Sequence, residues 1–447
     1  MTAQKHLKQL IRARMAKTGE HYTTARRHII GKLEQAKNPS TEPSGPLHFP
    51  GNVPATTALR ILLANQGVRA PHTGEPFSEA MLFGIAGGIG IGVFSFYYEK
   101  EDLATFFIAG RHQWHDDEAY LRGALERFHI EPIIRETAGA KAADQQLQKA
   151  LEQQGPCVAW VDAAELPHRA MPIQWSGGGY HVVVVHGLDR ESDTALIGDL
   201  TNDPISIPLA DLARARARIK KQKHRLLSVA PESAGKALPN LGDLVRGGLQ
   251  HCHDGLLHPT LPGAKNNGRL EALEIWAKRL HGSKEKESWE RVFRPGPNLW
   301  RGLCSIHDFI EHYGTGGGLC RPLFADFLSE AAAALSNANL ATLSEQYAEL
   351  GRAWSELADA ALPSDIPAFL EAKTLQTRKA ELLHDGAPAE DVRAIRRRLD
   401  GLAKEARERF PLSNADCADL REQLQTRILN LYEREVAALA ATLKAIP

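Results

Sequence analysis

The sequence contains few cysteines and no long apolar run. Its 447 residues include five cysteines, at positions 157, 252, 304, 320 and 417. They are odd in number and far apart, so we expect reduced thiols rather than a disulfide framework. No segment approaches the roughly 18 consecutive apolar residues that a membrane span needs, and the N-terminal segment lacks the apolar core of a secretory signal. These absences predict a cytoplasmic protein that does not enter a membrane.

The chain also lacks an excess of charge of either sign. Lys and Arg total 54 and Asp and Glu total 54, giving a formal net charge of +0. A nucleic-acid-binding protein usually shows a basic excess or stripe, so the sequence gives no strong nucleic-acid signal. The length exceeds the roughly 250 to 300 residues at which a single core stops growing, which predicts two or three domains.

A third absence lies at the start of a predicted helix. Residues 50–67 read PGNVPATTALRILLANQG, in which small residues lead into an apolar stretch. In many cysteine-dependent hydrolases and acyltransferases such a helix opens with the nucleophilic thiol, because the helix N-terminus stabilises a thiolate. Here Pro54 stands at the opening. Proline is favoured at the first helical position, but it brings no nucleophile.

Three strands are predicted in the middle of the chain, at 156–162 (PCVAWVD), 180–189 (YHVVVVHGLD) and 194–200 (TALIGDL). His181 begins the second strand and Asp199 ends the third. Neighbouring antiparallel strands can bring the two side chains together, and a carboxylate bonded to one imidazole nitrogen orients the other as a general base. The alternative is a structural histidine. The loop LPHRAMPIQWSGGG before the second strand is long enough to shape a pocket.

Two glycine-rich segments stand out. In FSEAMLFGIAGGIGIG (77–92), Ser78 is predicted to cap a short helix and the glycines to allow close backbone approach. Nucleotide binding is not expected there, because no Lys-Ser/Thr pair follows. The second segment places Gly316, Gly317 and Gly318 between two helices. It could be a functional loop, with Arg321 available for a carboxylate or phosphate group, or a plain turn.

Neither a metal nor a cofactor is expected. HCHDGLLH (251–258) gathers three histidines and a cysteine, but it lacks the spacing of a zinc motif, so we expect a surface loop. His112, Trp114 and His115 could line the cleft or merely cover it.

These segments together resemble the butirosin biosynthesis protein H family. The resemblance rests on the helix start at 50–67, on FSEAMLFGIAGGIGIG, on GGYHVVVVHGLD followed by IGDL, and on TGGGLCRPLFADFLSEAA in a second part. It covers about residues 47–362. It implies an α+β fold, in which a domain similar to papain-like cysteine peptidases and acyltransferases (47–230) precedes a helical companion domain (231–362).

Two helical extensions flank the region of resemblance. Residues 1–46 are predicted to form a basic helical arm and a linker, and residues 363–447 a charged helical extension. In the extension, Leu424, Ile428, Leu431 and Val436 approximate one apolar stripe. The extension could serve homo-oligomerisation or partner docking, or simply pack on the rest of the chain.

The resemblance implies an activity. The family's namesake moves an acyl group from an acyl carrier protein to an amino group of an aminoglycoside. The expected partners are therefore an acyl carrier protein and a small amine or peptide. Where the related fold has its cysteine, this chain has Pro54, which lacks both the thiol and the backbone N–H that helps to stabilise an oxyanion.

Three interpretations follow from the missing thiol. In the first, His181 with Asp199 deprotonates an amine that attacks a carrier-bound thioester directly. In the second, the protein is an inactive relative that binds a ligand or partner in the inherited cleft. In the third, Thr56, Thr57 or Cys320 replaces the nucleophile. The expected binding residues are Pro54, Thr56, Thr57, Gly316, Gly317, Gly318 and Arg321.

Overall fold

The computed structural model describes residues 45–110, 117–172, 175–231, 237–258 and 265–446. The described residues from His48 to Ile446 belong to one compact unit. Nearly all of the predicted basic arm lies outside the described residues, as do His112, Trp114 and His115.

The described part of the chain alternates helices and strands at first and is helical afterwards. The strands are β1 (Gly92–Tyr98), β2 (Leu103–Ala109), β3 (Pro132–Arg135), β4 (Cys157–Asp162), β5 (Tyr180–Asp189), β6 (Thr194–Gly198), β7 (Ile205–Pro208) and β8 (Leu226–Val229). The first α-helices are α1 (Pro54–Asn65), α2 (Glu79–Ile85), α3 (Asp117–Arg127), α4 (Ala140–Gln154) and α5 (Leu209–Arg218). The later ones are α6 (Leu241–Leu257), α7 (Glu271–Leu280), α8 (Trp289–Val292), α9 (Pro297–Glu311), α10 (Arg321–Leu335), α11 (Ala338–Ala361), α12 (Pro367–His384), α13 (Ala389–Glu408) and α14 (Asn414–Ala445).

Six of the strands form an antiparallel sheet in the order β3-β8-β4-β5-β6-β7. Strands β1 and β2 pair separately as a hairpin. The three strands predicted from sequence are observed as β4, β5 and β6, and β5 lies between the other two. The α+β fold class is confirmed. The boundaries predicted at residues 230 and 362 stay predictions.

The two faces of the sheet pack into different hydrophobic clusters. Val182 and Val184 of β5 belong to the large cluster that includes α1, whereas Val183 and Val185 belong to a smaller one with α4 and α5. Because side chains alternate along a strand, His181 shares the face of Val183 and Val185. The body of α1 therefore covers the face of the sheet opposite to His181.

Glycines permit the close packing of α2 against α6 and α10. A Cβ added at Gly84 would lie 2.1 Å from Cγ of Phe327, and one at Gly248 would lie 2.4 Å from the carbonyl oxygen of Gly84. Ser78 accepts a hydrogen bond of 2.9 Å from the backbone N–H of Met81. The prediction of a capped helix with close backbone approach is confirmed.

The C-terminal helix α14 packs into the main core. Leu424, Ile428 and Leu431 are buried, as predicted, and the buried face continues at Glu435. Val436, which the sequence analysis placed on the same stripe, is 43% exposed. That placement is wrong because one residue turns a helix by about 100°, so position 436 points away from the face that 435 continues. Self-association stays a prediction.

The segment at 251–258 is not the surface loop that we expected. It lies almost entirely within α6, which ends at Leu257. Leu249, Cys252 and Leu256 are buried, because their spacing places them on one helical face. Within the described residues, no group of three or more His, Cys, Asp or Glu side chains could hold a metal ion.

Among the helices of the described segments, none is both long and apolar enough to cross a membrane.

Candidate functional site

Asp199 is the centre of a buried polar cluster at one end of the sheet. Its Oδ1 accepts hydrogen bonds from Nε2 of His181 at 2.9 Å and from the backbone N–H of Leu200 at 2.8 Å. Its Oδ2 accepts from Nε2 of His168 at 2.9 Å and from Nη1 of Arg169 at 3.0 Å. The predicted contact between His181 and Asp199 is confirmed. Their catalytic role stays a prediction.

The loop after β4 supplies two of these donors. Pro167–Arg169 forms a short 3₁₀ helix that presents His168 and Arg169. Asp162, fully buried at the end of β4, holds the loop at both ends by accepting hydrogen bonds from the backbone N–H groups of Ala164 at 3.0 Å and of Gly177. The loop that was predicted to shape a pocket is therefore fixed against the sheet.

The electrostatics of the cluster define the protonation states. Burial lowers the pKa of His181, although the charge of Asp199 opposes the shift. Burial alone would raise the pKa of Asp199, but the charges of His181 and Arg169 hold it well below its usual range. The two directions favour an ionised Asp199 beside a neutral His181 at pH 7, with Arg169 and the hydrogen bond from His168 then stabilising the carboxylate. The carboxylate accepts the proton on Nε2, so the lone pair of His181 is on Nδ1.

The chain that enters α1 lies beside the residues that follow Asp199. The backbone N–H of Gly51 donates to the carbonyl oxygen of Leu200 at 3.4 Å, and Nε2 of His48 donates to that of Thr201 at 2.9 Å. Pro54 is the first residue of α1 and is partly exposed. These contacts place the segment before α1 beside the residues that follow Asp199. Because His181 lies on the face of the sheet opposite to α1, the predicted position of the His181–Asp199 pair beside the head of that helix gains no support.

A carboxylate that the sequence analysis missed caps the entry to α1. Glu79 is 8% exposed, and its Oε1 accepts from the backbone N–H groups of Asn52 at 2.7 Å and Val53 at 2.9 Å. The same oxygen accepts from the hydroxyl of Thr57 at 3.0 Å. A negative charge already occupies this helix start, and it would oppose the formation of a second anion there.

The alternative nucleophiles are buried. Thr56 is 0% exposed and its hydroxyl lies 3.0 Å from the hydroxyl of Tyr120, while Thr57 is 2% exposed and bonded to Glu79. Cys320 is 1% exposed, and burial raises the pKa of its thiol to about 12. These environments favour structural roles for all three residues.

The glycine loop lies against the entry to α1. Gly316, Gly317 and Gly318 have φ values of +71°, +94° and +51°, which favour glycine. A Cβ at Gly316 would lie 2.7 Å from Cγ of Asn52, two residues before Pro54. The structure therefore brings the loop next to the helix start. Ligand binding by the loop stays a prediction.

Arg321 has a different environment from the one expected. Its side chain is 0% exposed, its Nε donates to Oε1 of Glu435 at 2.7 Å, and its Nη1 donates to the carbonyl oxygen of Leu319 at 2.9 Å. A ligand would have to enter the core and displace Glu435. The predicted ligand-binding role of Arg321 therefore gains no support.

Sequence reasoning also missed side chains that come from distant segments. Nη2 of Arg396, on α13, donates to the carbonyl oxygen of Arg169 at 3.3 Å. Burial raises the pKa of Tyr313, which follows α9, and the charges of Arg169 and Arg396 oppose that shift. His168 and Arg169 lie in the loop that was predicted to shape a pocket, so the sequence offered a signal by which both residues could have been found. Arg396 is one of many charges on its helix and gave none.

Two family models match the chain. The one described as butirosin biosynthesis protein H, N-terminal, matches residues 54–200, a span that contains Pro54, His181 and Asp199. The other, described as a domain of unknown function (DUF4872), matches residues 210–382. No curated protein matches the chain.

Proposed function

Because residues 54–200 match the family model described as butirosin biosynthesis protein H, N-terminal, we propose that this chain is an acyltransferase-like protein of natural-product or peptide metabolism. In this proposal it is cytoplasmic and moves an acyl group from a carrier thioester to a small amine or peptide. The observation that supports this function most directly is the contact of 2.9 Å between Nε2 of His181 and Oδ1 of Asp199.

The proposed reaction does not involve a cysteine nucleophile. The amine nitrogen attacks the thioester carbonyl while Nδ1 of His181 takes the amine's proton, and Asp199 stabilises the resulting imidazolium. The tetrahedral intermediate then collapses to an amide, with cleavage of the carbon–sulfur bond. The departing thiolate of the carrier recovers the proton from His181. Direct attack is chemically reasonable because the thioester is already activated.

The alternative function is that of an inactive relative that binds a ligand or partner in the same cleft. Two observations favour it. Pro54 provides neither a thiol nor an N–H at the head of α1, and Arg169 forms an ion pair with Asp199 at 3.0 Å, which weakens the pull of the carboxylate on His181.

The first prediction is that His181→Ala abolishes transfer from an acyl N-acetylcysteamine thioester to an amine, with the amide measured by mass spectrometry. Loss of a general base should lower the rate by about 100-fold or more. His251→Ala, exposed on α6, is the matched control and should keep full activity. Alkylation with iodoacetamide should also leave activity intact, because burial raises the pKa values of Cys157, Cys304 and Cys320 to about 12.

Pro54→Cys separates the two functions if the natural protein shows no turnover. The substitution restores a thiol and an N–H at the helix start. A thiol that reacts with iodoacetamide faster than free cysteine, and that loses this advantage in the His181→Ala background, would identify an inactive relative with an intact activating site. Reaction no faster than that of free cysteine, together with no turnover, would exclude catalysis at this site.

A further inference from the structure

The turn between α12 and α13 and the first part of α13 are attached to the Asp199 cluster. The backbone N–H of Asn202 donates to the carbonyl oxygen of His384 at 2.9 Å, and Nδ2 of Asn202 donates to Oδ1 of Asp385 at 3.1 Å. Farther along, Arg396 donates to the carbonyl oxygen of Arg169 at 3.3 Å. Residues beyond 382 lie outside both matched family segments. The extension therefore contributes side chains to the site.

The two arginines that meet there retain unused donors. Arg169 donates through Nη1 to Asp199, and Arg396 donates through Nη2 to a carbonyl oxygen. Within the described residues, Nε of Arg169 and Nε of Arg396 are buried and have no hydrogen-bond partner. A buried N–H group without an acceptor costs free energy, so a native structure usually supplies a water or a ligand at such a position.

Carboxylates of the described residues lie near Arg396, but none of these forms an ion pair with it. Burial lowers the pKa of Arg396, and the charges of Asp308 and Asp400 oppose that shift. Asp199 is paired with Arg169, and Asp308 is paired with Nζ of Lys379 at 2.9 Å. No ion pair between described residues joins Arg396 to a carboxylate. A guanidinium stays protonated in proteins, so Arg396 is a partly buried cation beside a second cation, Arg169.

We propose that Arg169 and Arg396 form a subsite that binds an anionic group, a phosphate or a carboxylate, of a ligand held beside His181. Planar guanidinium forks match the oxygens of both groups and bind them through charge-assisted hydrogen bonds. The subsite deepens the proposed function, because its ligand is the one that the Asp199 cluster would act on or retain. It also gives the helical extension a part in ligand selection.

The experiment measures thermal unfolding of the full chain as phosphate or acetate replaces chloride at constant ionic strength. A ligand that binds only the folded state raises the unfolding temperature with its concentration, which yields an apparent dissociation constant. We expect Arg396→Gln to weaken that binding by about tenfold or more, since it removes a charged donor. Arg396→Lys, which keeps the charge without the fork, should give an intermediate loss.

Arg393→Gln is the matched control, because Arg393 lies on the same helix and is exposed in a pair with Glu390. General salt effects change the unfolding temperatures of both variants alike. A difference between the anion responses of the two variants therefore measures anion binding at the subsite. A response to phosphate alone indicates a phosphate-bearing ligand, and a response to acetate indicates a carboxylate. Equal responses in Arg396→Gln and Arg393→Gln, or no response of the natural protein to either anion, would overturn the proposal. No acyl donor is present, so a failure of acyl transfer leaves this result unaffected.

Discussion

Two buried polar residues near β5, Asp199 and His186, have different environments. Asp199 receives four hydrogen bonds, which stabilise its ionised form. His186, near the other end of β5, is 9% exposed, and within the described residues both of its ring nitrogens are buried without a partner. Its ring lies 5.8 Å from that of His48. Burial, helped by His48, lowers the pKa of His186 to about 4.

The lowered pKa of His186 predicts acid sensitivity. In the unfolded chain, His186 takes up a proton as the pH falls below about 6.5, whereas in the folded chain it does so only at a pH of about 4. The free energy of unfolding therefore decreases as the pH falls from about 6.5 to about 4. His186 alone should cost about 2 kcal/mol between pH 7 and pH 5. We expect His186→Phe to remove that share of the loss, as measured by urea unfolding at both pH values.

The pKa of His48 is also lowered by burial, so the variant should retain part of the natural pH dependence. His251→Phe, exposed on α6, serves as the comparison and should lose as much stability as the natural protein. An identical pH dependence in His186→Phe would show that His186 is protonated as easily in the folded chain as in the unfolded one.

At the scale of elements, the contact between α6 and α2 leaves no room for an added methyl group at one glycine of α6. Adjacent glycines on this helix face different surroundings. A Cβ at Gly248 would lie 2.4 Å from the carbonyl oxygen of Gly84, whereas one at Gly247 would lie 3.8 Å from Cδ of Arg127. The first position is a backbone contact that cannot adjust easily. The second is an ordinary contact with a flexible side chain.

Gly248→Ala and Gly247→Ala should therefore have opposite effects on the free energy of unfolding. Gly248→Ala should lower it by about 1 to 3 kcal/mol, because the added methyl group forces α2 and α6 apart. Gly247→Ala should raise it by about 0.5 to 1 kcal/mol, since alanine is the better helix former. Chemical denaturation measures both. Equal changes in the two variants would mean that helix propensity, and not the helix contact, governs this position.

At the scale of the whole molecule, one buried ion pair links the C-terminal extension to the region of family resemblance. Glu435 of α14 accepts from Nε of Arg321 at 2.7 Å and from Nε1 of Trp354 at 2.7 Å, and the two charged side chains are 0% exposed. Removing either charge would leave the other uncompensated in the core. The extension is thus packed into the core through α14, whether or not it also supports self-association.

We predict that Glu435→Ala lowers the free energy of unfolding by about 3 to 5 kcal/mol, the usual cost of an unpaired buried charge. Glu433→Ala, exposed on the same helix, is the control and should change stability by less than about 0.5 kcal/mol. Urea unfolding followed by circular dichroism gives both values. Similar stabilities of the two variants would show that solvent reaches Arg321 and that α14 is only loosely attached.

The sequence by itself determined the local features. The alternation of β4, β5 and β6, the cap at Ser78 and the first helical position of Pro54 all follow from preferences of neighbouring residues, and the structure has them as predicted. The pairing of His181 with Asp199 could also be inferred, because adjacent antiparallel strands have a fixed geometry. The error at Val436 concerned only which way one helical residue points.

Only the tertiary structure decided which polar residues share a site. Asp199 gains Arg169 from a loop 30 positions earlier, and Arg169 in turn contacts Arg396, which is 227 positions farther along. The sequence assigned Arg321 to a ligand, yet the fold buries it against Glu435. A charged side chain has no preference that reveals its partner in the sequence. Its burial and its counter-ion depend on which distant segments pack beside it, and that is settled only when the core forms.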